Sequence, residues 1–117
     1  MPKRINQADI LLRTYLDELE LKWFPEYRFV DTRRWKADFY LPEHNVLLEI
    51  EGGTGYFLNP KGKTIRGGRH SRQKGYEDDC RKYNAAQLVG GFRVVRFTTG
   101  MVLSGEAKQF LSDNLVF

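Results

Sequence analysis

The order of the secondary-structure patterns around residues 46–98 constrains the fold most strongly. Residues 46–51 (V-L-L-E-I-E) and 92–98 (F-R-V-V-R-F-T) are rich in branched and aromatic side chains, as the strands of a sheet are. Between them, residues 76–89 have the pattern of a helix that closes at a pair of glycines, Gly90 and Gly91. A helical crossover between two strands usually makes them parallel, so the sequence predicts a sheet with a parallel pair.

The residues before this unit predict a helix followed by two more strands. Residues 7–22 carry apolar side chains at three- and four-residue spacing, which is the pattern of an amphipathic helix. Residues 26–30 and 35–41 are strand-like, and the turn sequences D-T-R-R and P-E-H-N make these strands and 46–51 consecutive and antiparallel. With a short helix expected at about 105–115, the order is α-β-β-β-α-β-α. This order predicts an α/β fold in which helices flank a mixed β-sheet.

Length and composition favour one domain. The chain has 117 residues, 41% of them hydrophobic, which suffices for one core but not for two, so we expect residues 1–117 to form a single domain. No apolar run approaches the roughly 18–20 residues of a membrane span, and M-P-K-R-I-N-Q-A-D-I lacks the apolar core of a signal peptide. Cys80 is the only cysteine, which excludes an intramolecular disulfide and a thiolate zinc cluster. These features predict a cytoplasmic protein without a membrane partner.

A glycine-rich, basic segment follows the third predicted strand. Residues 52–74 contain six glycines and predict a long loop, and long loops in small domains are usually functional. Residues 61–74 include six basic side chains and no acid, and such a block attracts polyanions, most commonly nucleic acid. The alternative is a solvated loop whose charge only aids solubility. The predicted DNA-binding residues are Lys61, Lys63, Arg66, Arg69, Arg72 and Lys74.

Two carboxylates stand on one face of the third predicted strand. Glu49 and Glu51 alternate with apolar residues, so their side chains point the same way from backbones about 6.6 Å apart. Asp38 lies in the preceding strand, and hairpin pairing could place it near Glu49. If this face is covered, either the pKa values of the acids rise or the acids need a cation, and hard oxygen ligands suit magnesium or manganese. Alternatively, the three acids lie on a solvent face or pair with nearby arginines.

Three further polar residues could converge on these acids. Asp79 and Lys82 are three apart in the predicted second helix and therefore share a face. Lys82 could neutralise an attacking hydroxide or a phosphate, while Asp79 could orient Lys82 or His70. His70 ends the basic loop, where an imidazole could act as general acid or base, although a lone histidine in a polar loop is more often a surface residue. Acids beside a basic loop suit phosphodiester cleavage, in which a metal activates water while basic groups hold the strand.

The combined motifs resemble a known class of nucleases. The series W-K-A-D-F, L-E-I-E-G-G, G-R-H-S-R-Q-K-G-Y-E-D-D-C-R-K-Y-N and G-G-F-R-V-V-R-F-T-T is similar to the small PD-(D/E)XK-type nucleases of phages and mobile elements. The layout also resembles that of very-short-patch repair endonucleases and of the homing endonucleases that share their fold. The resemblance covers residues 26–102. It implies a restriction-endonuclease-like core and a metal-dependent DNA endonuclease, in the host-cell cytoplasm if phage-encoded.

The resemblance also implies roles for individual residues. Asp38 and Glu49 take the places of the two acids that bind Mg²⁺ or Mn²⁺, and Glu26, in P-E-Y-R-F, resembles an additional upstream metal ligand. The lysine of the motif is replaced, because Glu51 stands two residues after Glu49. Lys82 is the candidate for a relocated lysine, and His70 is a second candidate for that role. The predicted catalytic set is therefore Asp38, Glu49, Glu51, His70, Asp79 and Lys82.

Two other functions stay open from the sequence. One is a nucleic-acid-binding module of the same fold that has lost catalysis, and the other is a structural, partner-binding protein whose acids are surface groups. The sequence also leaves the oligomeric state open. A monomer with one site most simply nicks DNA, whereas a homodimer could cut both strands.

Overall fold

The computed structural model describes residues 6–52, 56–58, 64–66 and 72–117, with side chains described for 6–52 and 75–117. It contains four helices and six strands among these residues. In chain order they are α1 (Gln7–Glu18), β1 (Phe24–Arg28), β2 (Lys36–Leu41), β3 (Val46–Glu51), β4 (Tyr56–Leu58), β5 (Thr64–Arg66), α2 (Arg72–Leu88), β6 (Arg93–Thr98), α3 (Thr99–Leu103) and α4 (Glu106–Leu115).

The main sheet is mixed, as the sequence predicts. Its four strands lie in the order β1-β2-β3-β6, and the pairs β1–β2 and β2–β3 are antiparallel. Strands β3 and β6 are parallel, in a register that runs from Val46↔Arg93 to Glu51↔Thr98. Helix α2 makes the crossover between these two strands. The prediction of an α/β fold with helices flanking a mixed sheet is therefore confirmed.

Three details differ from the sequence-based expectation. Strands β4 and β5 form a separate two-stranded antiparallel sheet within the segment expected to be a loop, because strands of three residues are too short to give a periodic pattern. Helix α3 is an addition to the predicted order; it has only five residues and begins where the Thr98 hydroxyl accepts a hydrogen bond from the Met101 backbone NH. Strand β1 includes Pro25, which an edge strand tolerates because its outer NH groups need no partner.

Each face of the main sheet carries its own apolar cluster. One cluster joins α1, α3 and α4 to the sheet through residues such as Leu16, Phe39, Leu48 and Phe97. The other cluster includes Leu47 of β3 and joins Ala86 of α2 to the sheet. Because side chains alternate along a strand, Leu47 and Glu49 share the α2 face. Glu49 is therefore directed toward α2 by the same alternation that buries Leu48 on the opposite face.

Helix α2 ends in a turn that fixes its position against β6. The Gly90 NH donates to the carbonyl of Ala85, and the Phe92 NH donates to that of Ala86. Gly91 has a φ of +74°, a left-handed conformation that favours glycine. A Cβ on Gly90 would lie 2.7 Å from the ring of Phe92, which leaves no room for a side chain. None of the helices in the described part of the chain is long and apolar enough to cross a membrane.

Candidate active site

Glu49 is the most deeply buried carboxylate on the α2 face of the sheet. Its residue is 5% exposed. One carboxylate oxygen, Oε1, accepts hydrogen bonds from Lys82 Nζ at 2.5 Å and from the Tyr83 hydroxyl at 3.3 Å. The other, Oε2, accepts from the backbone NH of Asp38 at 3.2 Å. A carboxylate buried in this way requires such partners, since an unpaired buried charge is strongly destabilising.

Asp38 and Glu49 meet where strands β2 and β3 part. The ladder between these strands runs to Phe39↔Leu48, and Asp38 and Glu49 are the next residues in that register. Beyond this pair, hydrogen bonds from backbone NH groups to side chains join the two strands. Asp38 Oδ2 accepts from the Ile50 NH at 2.8 Å, and Glu49 accepts from the Asp38 NH. Each carboxylate thus binds the backbone of the other strand. This exchange holds two acids side by side at the end of the ladder.

The environment of Glu49 raises its pKa. Burial is the largest cause, and the nearby Asp38 carboxylate adds to the effect through its charge and a side-chain hydrogen bond. Lys82 opposes both, because its ammonium and its hydrogen bond favour the ionised carboxylate. The Lys82 side chain is itself only 16% exposed. The site therefore combines two close carboxylates with one cation that partly balances them.

A second ion pair lies beside the first. Arg96 of β6 donates from Nε to Glu51 Oε1 at 2.7 Å and also from Nη2 to the same oxygen. Its guanidinium carbon lies 4.2 Å from the centre of the Tyr83 ring. Burial and the charge of Glu49 raise the pKa of Tyr83, so its hydroxyl stays protonated and donates to Glu49. Tyr83 thereby connects the Arg96 guanidinium to the buried carboxylate.

The remaining predicted acids lie around this centre. Glu51 pairs with Arg96, whereas Lys82 pairs with Glu49, two residues earlier in the same strand. Asp79 is exposed on α2, and its charge raises the pKa of both Tyr83 and Arg96. Glu26 is exposed in the edge strand β1, between the pairs Pro25↔Phe39 and Tyr27↔Ala37, which sets it opposite Asp38 in register. Its φ of +47° is uncommon for a non-glycine residue and marks a local distortion of the strand.

Several predicted residues have no described side chain. Lys61, Lys63, Arg69 and His70 lie outside the described residues. Arg66 is in β5, and Arg72 and Lys74 are in α2, where only the backbone is described. The roles assigned to these seven residues from the sequence stay predictions.

Sequence reasoning missed two members of the site, Tyr83 and Arg96. A signal for each was present. Arg96 is a charged residue inside the apolar strand pattern F-R-V-V-R-F-T, and the parallel register sets it beside Glu49. Tyr83 follows Lys82 on the helix that covers the sheet. A charge or phenol at such a place needs a partner on the facing element.

The donor set at Asp38 and Glu49 fits a small divalent cation. Two adjacent carboxylates offer hard oxygen ligands, and Mg²⁺ is usually bound by one or two carboxylates together with water and substrate phosphate. Within the part of the chain that the structure describes, no three His, Cys, Asp or Glu side chains form a complete metal-binding cluster.

Comparison with solved structures finds one similar domain. The fold resembles a nuclease domain. The similar structure is the "Homing Endonuclease I-Bth0305I Catalytic Domain", with a TM-score of 0.52 and 18% sequence identity over 93% of this chain and 93% of that one. No protein-family model matches the chain, and no curated protein matches it. At this identity the likeness establishes a nuclease-like fold.

Proposed function

We propose that the protein is a metal-dependent DNA endonuclease that hydrolyses phosphodiester bonds at the Asp38–Glu49 pair. One observation carries the proposal: a buried carboxylate is held against a second carboxylate and a lysine at the end of the β2–β3 ladder. The likeness to a homing endonuclease catalytic domain supports DNA as the substrate. The basic block 61–74 supplies positive charge for holding a polyanion.

Asp38 and Glu49 would hold Mg²⁺ or Mn²⁺. When bound, such a cation lowers the pKa of a coordinated water and offsets the charge of the phosphate. Lys82 has two roles in this proposal. By lowering the pKa of Glu49 it keeps that carboxylate ionised and therefore available as a ligand, and its ammonium stabilises negative charge that develops on the phosphate. Tyr83 orients Glu49 through its hydroxyl.

Three other predicted residues also have roles in this proposal. Glu26 is proposed as a further ligand because its register sets it opposite Asp38. Asp79 is proposed to orient the Tyr83–Arg96 pair through its charge. His70 is proposed as a general acid or base on the basis of the sequence resemblance alone.

A second function is favoured by one specific contact. Lys82 already neutralises Glu49 at 2.5 Å, so the pair could be a structural ion pair in a nucleic-acid-binding module without catalysis. The two functions differ in one property. The endonuclease cleaves DNA when a divalent metal is present, whereas the module binds DNA and cleaves it under no condition.

The test is cleavage of supercoiled plasmid with Mg²⁺, with Mn²⁺ and with chelator. We expect nicked or linear product in metal only, and linear product formed directly would indicate a homodimer. Asp38→Asn and Glu49→Gln should lower the rate by about 100-fold or more, because several kcal/mol of charge stabilisation is lost. Their matched controls are Asp113→Asn and Glu43→Gln, which change the same residue types at exposed positions.

The outcomes separate the two functions. Metal-dependent cleavage that is lost in both site variants and kept in both controls supports the endonuclease. Cleavage that persists in chelator or in the Asp38→Asn variant would overturn the metal site. Salt-sensitive DNA binding without cleavage in either metal would favour the binding module.

A further inference from the structure

The end of the β1–β2 hairpin forms a basic surface whose residues lie outside the block 61–74 in the sequence. Its four basic side chains are exposed, and its single acid is Asp31. We call residues 28–36 the basic hairpin. The basic residues are Arg28, Arg33, Arg34 and Lys36.

Internal contacts hold this surface in one shape. Arg28 donates to the backbone carbonyls of Asp31 at 2.9 Å and of Arg33 at 2.8 Å, which closes the turn. The Arg33 guanidinium carbon lies 4.1 Å from the centre of the Trp35 ring. Trp35 itself is half-buried and packs against the apolar cluster of the α2 face. The Arg28 and Arg33 side chains are therefore held by contacts within the hairpin.

The positive charges of the basic hairpin have no carboxylate partner in the part of the chain whose side chains are described. Among the described side chains, none of its four basic residues forms an ion pair with a carboxylate. Other basic residues of the protein do form such pairs with acids: Arg13, Arg81, Lys82, Arg96 and Lys108. A fixed cluster of uncompensated cations favours a polyanionic partner.

The basic hairpin leads directly to the candidate active site. Lys36 and Asp38 are two residues apart in β2, so the basic hairpin continues along this strand to the candidate active site. Their Cα atoms are about 6.8 Å apart in an extended strand. One DNA strand can therefore reach both the Asp38–Glu49 pair and the basic hairpin.

We infer that the basic hairpin binds the DNA phosphate backbone on one side of the cleaved bond. The inference rests on the proposed function, because it takes the Asp38–Glu49 pair as the cleavage site. Lys36 contacts the nearer phosphate, and Arg33 and Arg34 contact phosphates farther along. Arg28 is a positioning residue, since its guanidinium is engaged with the turn. Such contacts fix the register of the substrate and do not depend on its sequence.

The test compares two triple variants for DNA binding in chelator, where cleavage cannot occur. Arg33→Gln/Arg34→Gln/Lys36→Gln removes the charges of the basic hairpin. Its matched control is Lys22→Gln/Arg93→Gln/Lys108→Gln. Lys22 and Arg93 lie at the opposite end of the sheet, and Lys108 lies on α4. Each triple lowers the formal net charge from +4 to +1, so a difference between them reports position and not total charge.

The measured quantity is the slope of log K against log salt for a short duplex. Each phosphate that a basic side chain no longer neutralises should make the negative slope shallower by about 0.9. The three substitutions together should therefore make it shallower by about 2.7. The control triple should keep a slope near that of the wild type. Equal slopes in the two triples would overturn the inference, as would a wild-type slope in the hairpin variant. Thermal unfolding of both triples checks that neither slope reflects a smaller fraction of folded protein.

A second readout reports the hairpin locally. The chain has two tryptophans, so Trp23→Phe leaves Trp35 as the single indole. When Arg33 is drawn to a phosphate, its stacking on Trp35 changes, and we expect Trp35 emission to change with the same half-saturation as binding. Unchanged emission up to saturating DNA would count against the hairpin. If the hairpin fails these tests while plasmid cleavage stays metal-dependent, the proposed endonuclease stands; if the wild type neither binds nor cleaves DNA, both proposals fail.

Discussion

Lys82 Nζ lies 2.5 Å from Glu49 Oε1 and joins helix α2 to the centre of the sheet. Both side chains are largely buried, at 16% and 7% exposed. A buried ion pair is weak evidence for stability, because desolvation offsets much of the attraction. Removing one partner is different, since it leaves an uncompensated charge. The pair therefore makes the fold and the candidate site depend on each other.

Replacing Lys82 alone should destabilise the protein more than replacing both partners. Lys82→Met leaves the Glu49 carboxylate buried without its cation, which costs about 3–5 kcal/mol of unfolding free energy. Glu49→Gln/Lys82→Met removes both charges and should recover most of this loss. Urea unfolding of the wild type, both single variants and the double variant gives the coupling energy. Additive losses in the double variant would show that the two side chains are not a coupled pair.

Glu49 should make stability depend on pH. Its pKa is raised above the ordinary value of 4.5, so just above pH 4.5 the folded state holds the proton more tightly than the unfolded chain. The free energy of unfolding should therefore fall as pH rises from 4.5 through the folded-state pKa. The comparison is with Glu49→Gln, which cannot ionise, in urea unfolding at several pH values in chelator. A difference between wild type and variant that grows in favour of the wild type over this range would contradict the raised pKa.

Glu51 provides a test of two different roles for the second acid of the strand. The sequence predicts a catalytic carboxylate, whereas the structure pairs Glu51 with Arg96. A partly exposed ion pair contributes about 0–1 kcal/mol of interaction energy. If pairing with Arg96 is the role of Glu51, the Glu51→Gln variant should cleave DNA at a rate within about fivefold of the wild-type rate. Plasmid cleavage beside Asp38→Asn measures this. A loss as large as that of Asp38→Asn would instead support the catalytic role.

The main sheet was predictable because its pattern is local. The helix between the strands of Val46–Glu51 and Arg93–Thr98 dictates a parallel pair, and the turns before Val46 dictate antiparallel ones. Pairing of these acids with nearby arginines was one of the alternatives from the sequence, but the choice of Arg96 for Glu51 depends on the β3–β6 register, which a long crossover leaves unspecified. The reciprocal hydrogen bonds of Asp38 and Glu49 were also not predictable from the sequence. They form because the backbone ladder between the two strands ends after Phe39↔Leu48, and no pattern in the sequence predicts that position.

The loss of stability on truncating a leucine should depend on how deeply that leucine is buried. A matched pair of Leu→Ala substitutions tests this. Leu48 is 0% exposed at the centre of the sheet, whereas Leu88 is 89% exposed at the end of α2. Leu48→Ala should cost about 2–5 kcal/mol of unfolding free energy, because it removes buried methyl groups and leaves a cavity. Leu88→Ala should change stability by less than about 0.5 kcal/mol. Similar losses at both positions would mean that α2 buries Leu88 against a surface that this chain alone does not provide.

Metal binding should stabilise the folded protein through Asp38 and Glu49, a property that can be measured without any cleavage. Mg²⁺ or Mn²⁺ that binds only the folded state at 100 times its dissociation constant adds about 2.7 kcal/mol, so thermal unfolding should shift to higher temperature. In chelator the Asp38→Asn variant should be at least as stable as the wild type, because it relieves the repulsion that Asp38 exerts on Glu49, while its amide oxygen can still accept from Ile50 NH.

The decisive comparison is the metal-induced shift in three proteins. The wild type and Asp113→Asn should both shift, whereas Asp38→Asn should not, because it keeps only one of the two paired carboxylates. An equal shift in Asp38→Asn would place the metal elsewhere. If no protein shifts while DNA is still cleaved in metal, the cation must bind together with the substrate phosphate. That result would agree with a donor set of two carboxylates, since the phosphate would then supply ligands that the described side chains do not.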